Sequence, residues 1–188
     1  MDDHKLVQLC LSGRPDAQKG LYERFAAPML GVCYRYTKSM ADAEDVLQEG
    51  FVKVFRNLRQ YRGDGELGAW IRRIMVTTAI NYLKKNVRYQ TDLVFDADHL
   101  HPVSNENPEV TLSAKELAGL LRQLPAGYQT IFNLHAVEGY SHVEIGQMLG
   151  IHEGTSRSQY ARARALLIQW IKIRNMDPKT DAYAQTGL

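Results

Sequence analysis

Apolar residues recur at helical spacing from Asp3 to about Lys85, the periodicity stops between Thr91 and Glu109, and it resumes at Ser113. This predicts an all-α protein of two small helical domains, 1–90 and 112–174, joined by a linker over 91–111 and followed by a polar tail over 175–188. The clearest amphipathic stretch is Ala41 to Leu58. There Leu47, Phe51, Val54, Phe55 and Leu58 form the apolar stripe, while Asp42, Asp45, Gln48, Glu49 and Lys53 lie off it. A loop, QYRGDGE, separates it from a helix over Glu66 to Lys85, with Leu67, Trp70, Ile71, Ile74 and Thr78 expected to face the core. On the same helix Arg73, Thr77, Asn81 and Lys84 form one polar line.

Helix-start chemistry sets the second domain. Ser113 with Glu116, and Ser141 with Glu144, are capping-box pairs, in which the serine oxygen accepts an orphan backbone N–H and the glutamate reaches back to the serine. The helix from Ser141 is expected to bury Val143, Ile145, Met148 and Leu149 and to end at Gly150, where a left-handed residue is needed. A second helix restarts near His152 to Gly154, which gives a helix-turn-helix. Tyr160, Ala163, Leu167 and Trp170 or Ile171 are its inward positions; Arg157, Ser158, Arg162 and Arg164 fall on the outer side. Arginine pairs bidentately with guanine or neutralises phosphate, so the outer row suits a major groove. A solvated surface face would need no capping box or glycine turn around it.

Charge changes the picture through its distribution. The net +2 is too small to mark nucleic-acid binding, but residues 1–90 carry 15 basic and 10 acidic side chains, 91–111 carry 5 acidic and no basic ones, and 112–188 carry 8 and 6. An acidic linker thus separates two basic ends, and Pro102, Asn105, Asn107 and Pro108 disfavour regular structure within it. The polar line of Arg73, Thr77, Asn81 and Lys84, with Tyr61, Trp70 and Tyr82 as rings for stacking, reads as a track for a nucleic-acid strand or as a solvated helix face. Asp42, Glu44 and Asp45 read as helix-dipole partners or as a docking surface. No apolar run approaches the roughly 18 residues of a membrane span, and MDDHKLVQLC lacks a signal-peptide pattern, so a cytoplasmic location is expected.

Metal and catalytic chemistry are not expected. Cys10 and Cys33 read as buried thiols, His99 and His101 as polar linker, and His135 and His142 as core-edge or surface groups. No nucleophile, base and orienting group converge in the pattern, and no glycine loop is built for phosphate, so neither an enzyme nor a cofactor is expected.

The run DAEDVLQEGFVKVFRNLRQYRGDGELGAWIRRIMVTTAINYLKK resembles the second conserved region of bacterial sigma factors, and LPAGYQTIFNLHAVEGYSHVEIGQMLGIHEGTSRSQYARARALL resembles the fourth. The short separation of the two is similar to that of the extracytoplasmic-function (ECF) subgroup. The resemblance implies a dissociable, non-catalytic specificity subunit that brings core RNA polymerase to promoter DNA and opens it. By motif position, Asp42, Asp45, Gln48, Glu49 and Val52 would dock on the core enzyme, and Arg62, Arg73, Thr77, Asn81 and Lys84 would hold the melted downstream (−10) element. Arg157, Ser158, Gln159, Arg162 and Arg164 would read the upstream (−35) element as duplex. The chain departs from the usual pattern at Thr77, Ser156 and Gln159, which bears on base preference rather than class. An anti-sigma factor, commonly membrane-anchored, is the implied regulatory partner. The alternatives are a stand-alone helix-turn-helix regulator, which would bind a palindromic site without polymerase, and a helical adaptor.

Overall fold

The computed structural model describes residues 2–85 and 113–176, and the chain divides into two compact units, Met1–Val87 and Arg88–Leu188. Expectations for 91–111, for His99 and His101, and for 177–188 lie outside the described residues. Four helices build the first unit: α1 (Asp3–Leu11), α2 (Pro15–Tyr34), α3 (Met40–Asn57) and, after a 3₁₀ turn at Leu58–Gln60, α4 (Leu67–Lys85). Pro15 opens α2 where its missing N–H costs nothing, and Ser39 caps α3 by accepting from Asp42 N at 3.1 Å. The apolar stripes meet in a core that includes Leu21, Val46, Val54, Leu58, Leu67, Ile71, Met75 and Val76. Helices α3 and α4 pack closely at Gly50, where a Cβ would lie 2.2 Å from Met75 Sδ, so the glycine answers to packing rather than to helix propensity.

In the second unit α5 (Ala114–Gln123), α6 (Ala126–Phe132), a π turn at Asn133–Val137, α7 (His142–Leu149) and α8 (Glu153–Met176) follow in order. Both expected capping boxes form, with Glu116 N donating to Ser113 Oγ and Glu144 N to Ser141 Oγ at 3.3 Å each. Gly150 ends α7 at φ 72°, a conformation that carries a steric penalty for residues with a Cβ. Leu120, Leu124, Tyr128, Ala163 and Leu167 form the core between α5, α6 and α8. Helix α8 continues through Met176, two residues into the stretch expected as tail.

Four inward assignments are corrected. Val143 is 50% exposed and Met148 half-buried, because α7 buries the line Ile145, Gly146 and Leu149, one position away from Val143. On α4 the fully buried line is Ile71, Met75, Val76, Ala79 and Ile80; Trp70 and Ile74 are half-buried at its edge. Cys10 and Cys33 are buried free thiols, and burial pushes the Cys33 thiol up to about 12.

Candidate nucleic-acid and polymerase interfaces

Helix α8 presents Arg157, Ser158 and Arg164 to solvent with Arg162 half-buried beside them, opposite a buried side of Ser156, Gln159, Ala163 and Leu167. Arg157 is braced by Glu153 one turn earlier, its Nε 2.8 Å from the carboxylate, and Ser158 Oγ donates to the Thr155 carbonyl at 3.0 Å. Arg162 and Arg164 have no ion-pair partner among the described residues. The assignment of Gln159 to DNA is corrected: it is 2% exposed, because its position in the helical turn places it beside Ala163 on the core side. Ser156 is likewise fully buried.

A groove of about 330 Å³ runs along α4 against α3, lined by Trp70, Arg73, Ile74, Thr77, Thr78 and Asn81 from α4 and by Lys53 and Asn57 from α3. Beside it the QYRGDGE loop forms a second hollow of about 420 Å³ with Tyr61 and Arg62, and the two share Trp70 and Arg73. Tyr61 and Trp70 sit with ring centroids 5.7 Å apart, and Tyr61 OH donates to the Gly65 carbonyl at 2.5 Å, which holds the loop closed. The mixture of an aromatic wall, cations and amide groups fits an unstacked base and its phosphates. Lys84 is half-buried and does not line either hollow, and neither does Tyr82, whose hydroxyl donates to Asp42 at 2.6 Å. Lys53 and Asn57 were the missed members. Lys53 Nζ lies 3.3 Å from Thr78 Oγ1 and Asn57 Nδ2 donates to the Lys53 carbonyl, contacts that sequence spacing on α4 cannot show.

On α3, Asp45, Gln48, Glu49 and Val52 share one side, with Val52 54% exposed amid the polar groups. An apolar residue ringed by charge suits a protein contact. Glu49 pairs with Lys53 at 2.7 Å, and that hydrogen bond holds its carboxyl below the usual carboxylate range. Asp42 is set apart from this group. Its carboxylate accepts from Tyr82 and lies at the capped start of α3, so its contacts are internal and its pKa is lowered, first by the Tyr82 bond and then by Ser39.

Residues 21–89 match the Sigma-70 region 2 family and residues 114–167 the Sigma-70, region 4 family. The ECF RNA polymerase sigma-E factor of Haemophilus influenzae is 31% identical over 180 residues, covering 89% of this chain and 94% of that protein. The RNA polymerase sigma-H factor of Pseudomonas aeruginosa is 31% identical over 175 residues, covering 86% and 90%. Among solved structures, the sigma factor RpoE from Bartonella quintana, determined with the anti-sigma factor NepR, shares the fold at 19% identity and a TM-score of 0.50, covering 82% of this chain and 96% of that one. With both regions present in order and relatives aligned over most of the chain, this protein belongs to the sigma-70 family of RNA polymerase sigma factors, in its ECF subgroup.

Proposed function

We propose that the two units divide promoter recognition as their surfaces suggest. In the second unit, Arg157, Ser158, Arg162 and Arg164 enter the major groove of the upstream element, with the arginines serving both base edges and phosphates. In the first, the α4 groove and the adjoining loop hollow take the melted strand of the downstream element. Arg73, Thr77 and Asn81 line the track, Arg62 sits at the loop and Lys84 lies farther along α4. Capturing an unstacked base against Trp70 or Tyr61 is worth about 1–3 kcal/mol, which offsets part of the cost of opening a base pair. The α3 side formed by Asp45, Gln48, Glu49 and Val52 docks on core polymerase, where carboxylates meet cationic partners around an apolar contact.

The observation that carries the reading is the arginine row on the exposed side of a capped helix-turn-helix, on a chain that also holds a separate aromatic groove. The protein supplies specificity and leaves phosphodiester chemistry to the polymerase, in keeping with a non-catalytic family of initiation factors. No described helix is long and apolar enough to cross a membrane, and we place the protein in the cytoplasm with the transcription machinery. The Bartonella relative was solved with an anti-sigma factor, which supports a comparable inhibitor for this chain. Arg162→Glu tests the upstream assignment. It should abolish promoter-specific transcription and leave assembly with core polymerase intact; unchanged promoter activity would refute that assignment.

A further inference from the structure

Two histidines meet at the joint of the helix-turn-helix. His135, from the π turn, and His142, the first residue of α7, stack with ring centroids 4.2 Å apart and planes 22° from parallel, and Tyr160 of α8 closes edge-on against His135 at 4.6 Å. His135 Nδ1 lies 2.8 Å from the Tyr140 carbonyl oxygen, so that nitrogen carries a proton and donates it. His142 Nδ1 lies 2.9 Å from Ser156 Oγ, and Ser156 is fully buried in α8. With His142 neutral and protonated on Nε2, the serine hydroxyl donates to Nδ1 and ties the start of α7 to the first turn of the arginine-bearing helix. This polar contact between the two helices lies one residue from Arg157.

We propose that His142 is a positioning residue for promoter reading: its neutral imidazole accepts from Ser156 and fixes α8, and protonation reverses that bond and sets a cation against His135 at the N-terminus of α7, so recognition of the upstream element weakens under mild acidification. The inference rests on the assignment of the α8 arginine row to that element.

Three features of the site disfavour an imidazolium there. A proton on Nδ1 removes the acceptor that the buried Ser156 hydroxyl uses and reverses the bond, so the serine hydrogen must find another acceptor. His142 is at the N-terminal end of α7, where the helix dipole opposes positive charge. A second cation on the stacked His135 would lie at van der Waals distance. The other charged or titratable groups around the pair are Arg157, Glu153 and Tyr160 on α8, Glu144 on α7 and Glu138 at the exit of the π turn. Glu153 favours the cation, but its carboxylate is engaged by Arg157, and Glu144 is engaged by its own capping box. Consistently, burial, then His135 and Arg157, hold His142 below the usual histidine value against the pull of Glu153. For a histidine depressed in the folded state, the contribution is intact above the ordinary value of 6.5 and is lost as the pH falls from there toward the folded value.

The test compares the full chain with His142→Asn, whose amide imitates the Nδ1 position without titrating. Binding is measured to a duplex carrying the upstream element that the holoenzyme selects from a random-sequence pool at about pH 7.5. Between about pH 7.5 and 5.5 the wild type should lose more affinity than the variant, the extra loss setting in as the pH falls below 6.5. In parallel, the His142 ring proton resonances should titrate in the window over which exchange protection of α7 and α8 falls. Identical pH profiles for wild type and variant in both readouts would overturn the proposal. If neither protein binds the duplex at pH 7.5, the upstream assignment fails, and exchange protection then decides: acid sensitivity removed by His142→Asn supports the tie, whereas sensitivity retained refutes it.

Discussion

Gly146 sits inside α7, where alanine would ordinarily stabilise a helix by about 1 kcal/mol. The structure predicts the opposite sign. A Cβ at Gly146 would lie 2.8 Å from the carbonyl oxygen of Ile151, with Glu153 N at 3.6 Å and Glu153 Cα at 3.8 Å. The obstructing atom is backbone, in a turn pinned by two hydrogen bonds to the Gly146 carbonyl, from Gly150 N at 2.8 Å and Ile151 N at 3.0 Å. Relief therefore requires α8 to move away from α7. Overpacking of this kind costs about 1–3 kcal/mol, so the net effect of Gly146→Ala is a loss of up to about 2 kcal/mol. Gly119 on α5 is the control: it is exposed and a Cβ there meets nothing within 4 Å, so Gly119→Ala should gain about 1 kcal/mol. Hydrogen–deuterium exchange of peptides covering α5 and α7–α8, followed through a urea series, reads both changes within the second unit. Gly146→Ala should also lower promoter-specific transcription, since it shifts the arginine row, while leaving core binding intact. Equal stabilisation by the two alanines would refute the close approach of α7 to the start of α8.

Further outcomes follow from the other sites. Asp45→Arg combined with Glu49→Arg should weaken assembly with core polymerase by at least about tenfold in a pull-down titration, a loss of about 1.4 kcal/mol; retained affinity would remove α3 as the docking helix. Tyr82→Phe should destabilise the first unit at neutral pH, because Asp42, whose acid is strengthened by that hydroxyl, contributes stability above the usual carboxylate range that is lost as the pH falls through its lowered value. The gap between wild type and Tyr82→Phe should therefore close in acid, which denaturant melts at a series of pH values would detect; a constant gap would contradict the bond's dependence on charge. Cys33, fully buried and with its thiol raised to about 12, should resist iodoacetamide in the native protein at about pH 8 and react once unfolded. Rapid native labelling at Cys33 would contradict the packing of the first unit.

Helix starts and stops were the most legible part of the sequence, because each depends on a local rule. The serine–glutamate pairs at 113/116 and 141/144 and the turn at Gly150 stand where short-range hydrogen bonding and backbone sterics put them. The arginine row was legible for a similar reason, since the exposed positions Arg157, Ser158 and Arg164, with Arg162 half-buried beside them, follow from the helix period alone. What the sequence concealed depends on a second element. Gln159 looks like a polar reader until α8 packs on its neighbours and turns it inward. Trp70 looks like core until α3 leaves a gap beside it, which Lys53 and Asn57 line from the other side. Asp42 shares its composition with Asp45, yet Tyr82, 40 positions away, accounts for its hydrogen bond. The histidine pair brings together residues from either side of a turn and a buried serine from the next helix.

The most direct test of the central claim is in vitro transcription with purified core RNA polymerase and this protein on fragmented genomic DNA, with sequencing of the transcript starts. The account predicts discrete protein-dependent starts that share two upstream motifs. An absence of protein-dependent starts, with sequence-specific DNA binding persisting in the absence of polymerase, would contradict it and point to a stand-alone regulator.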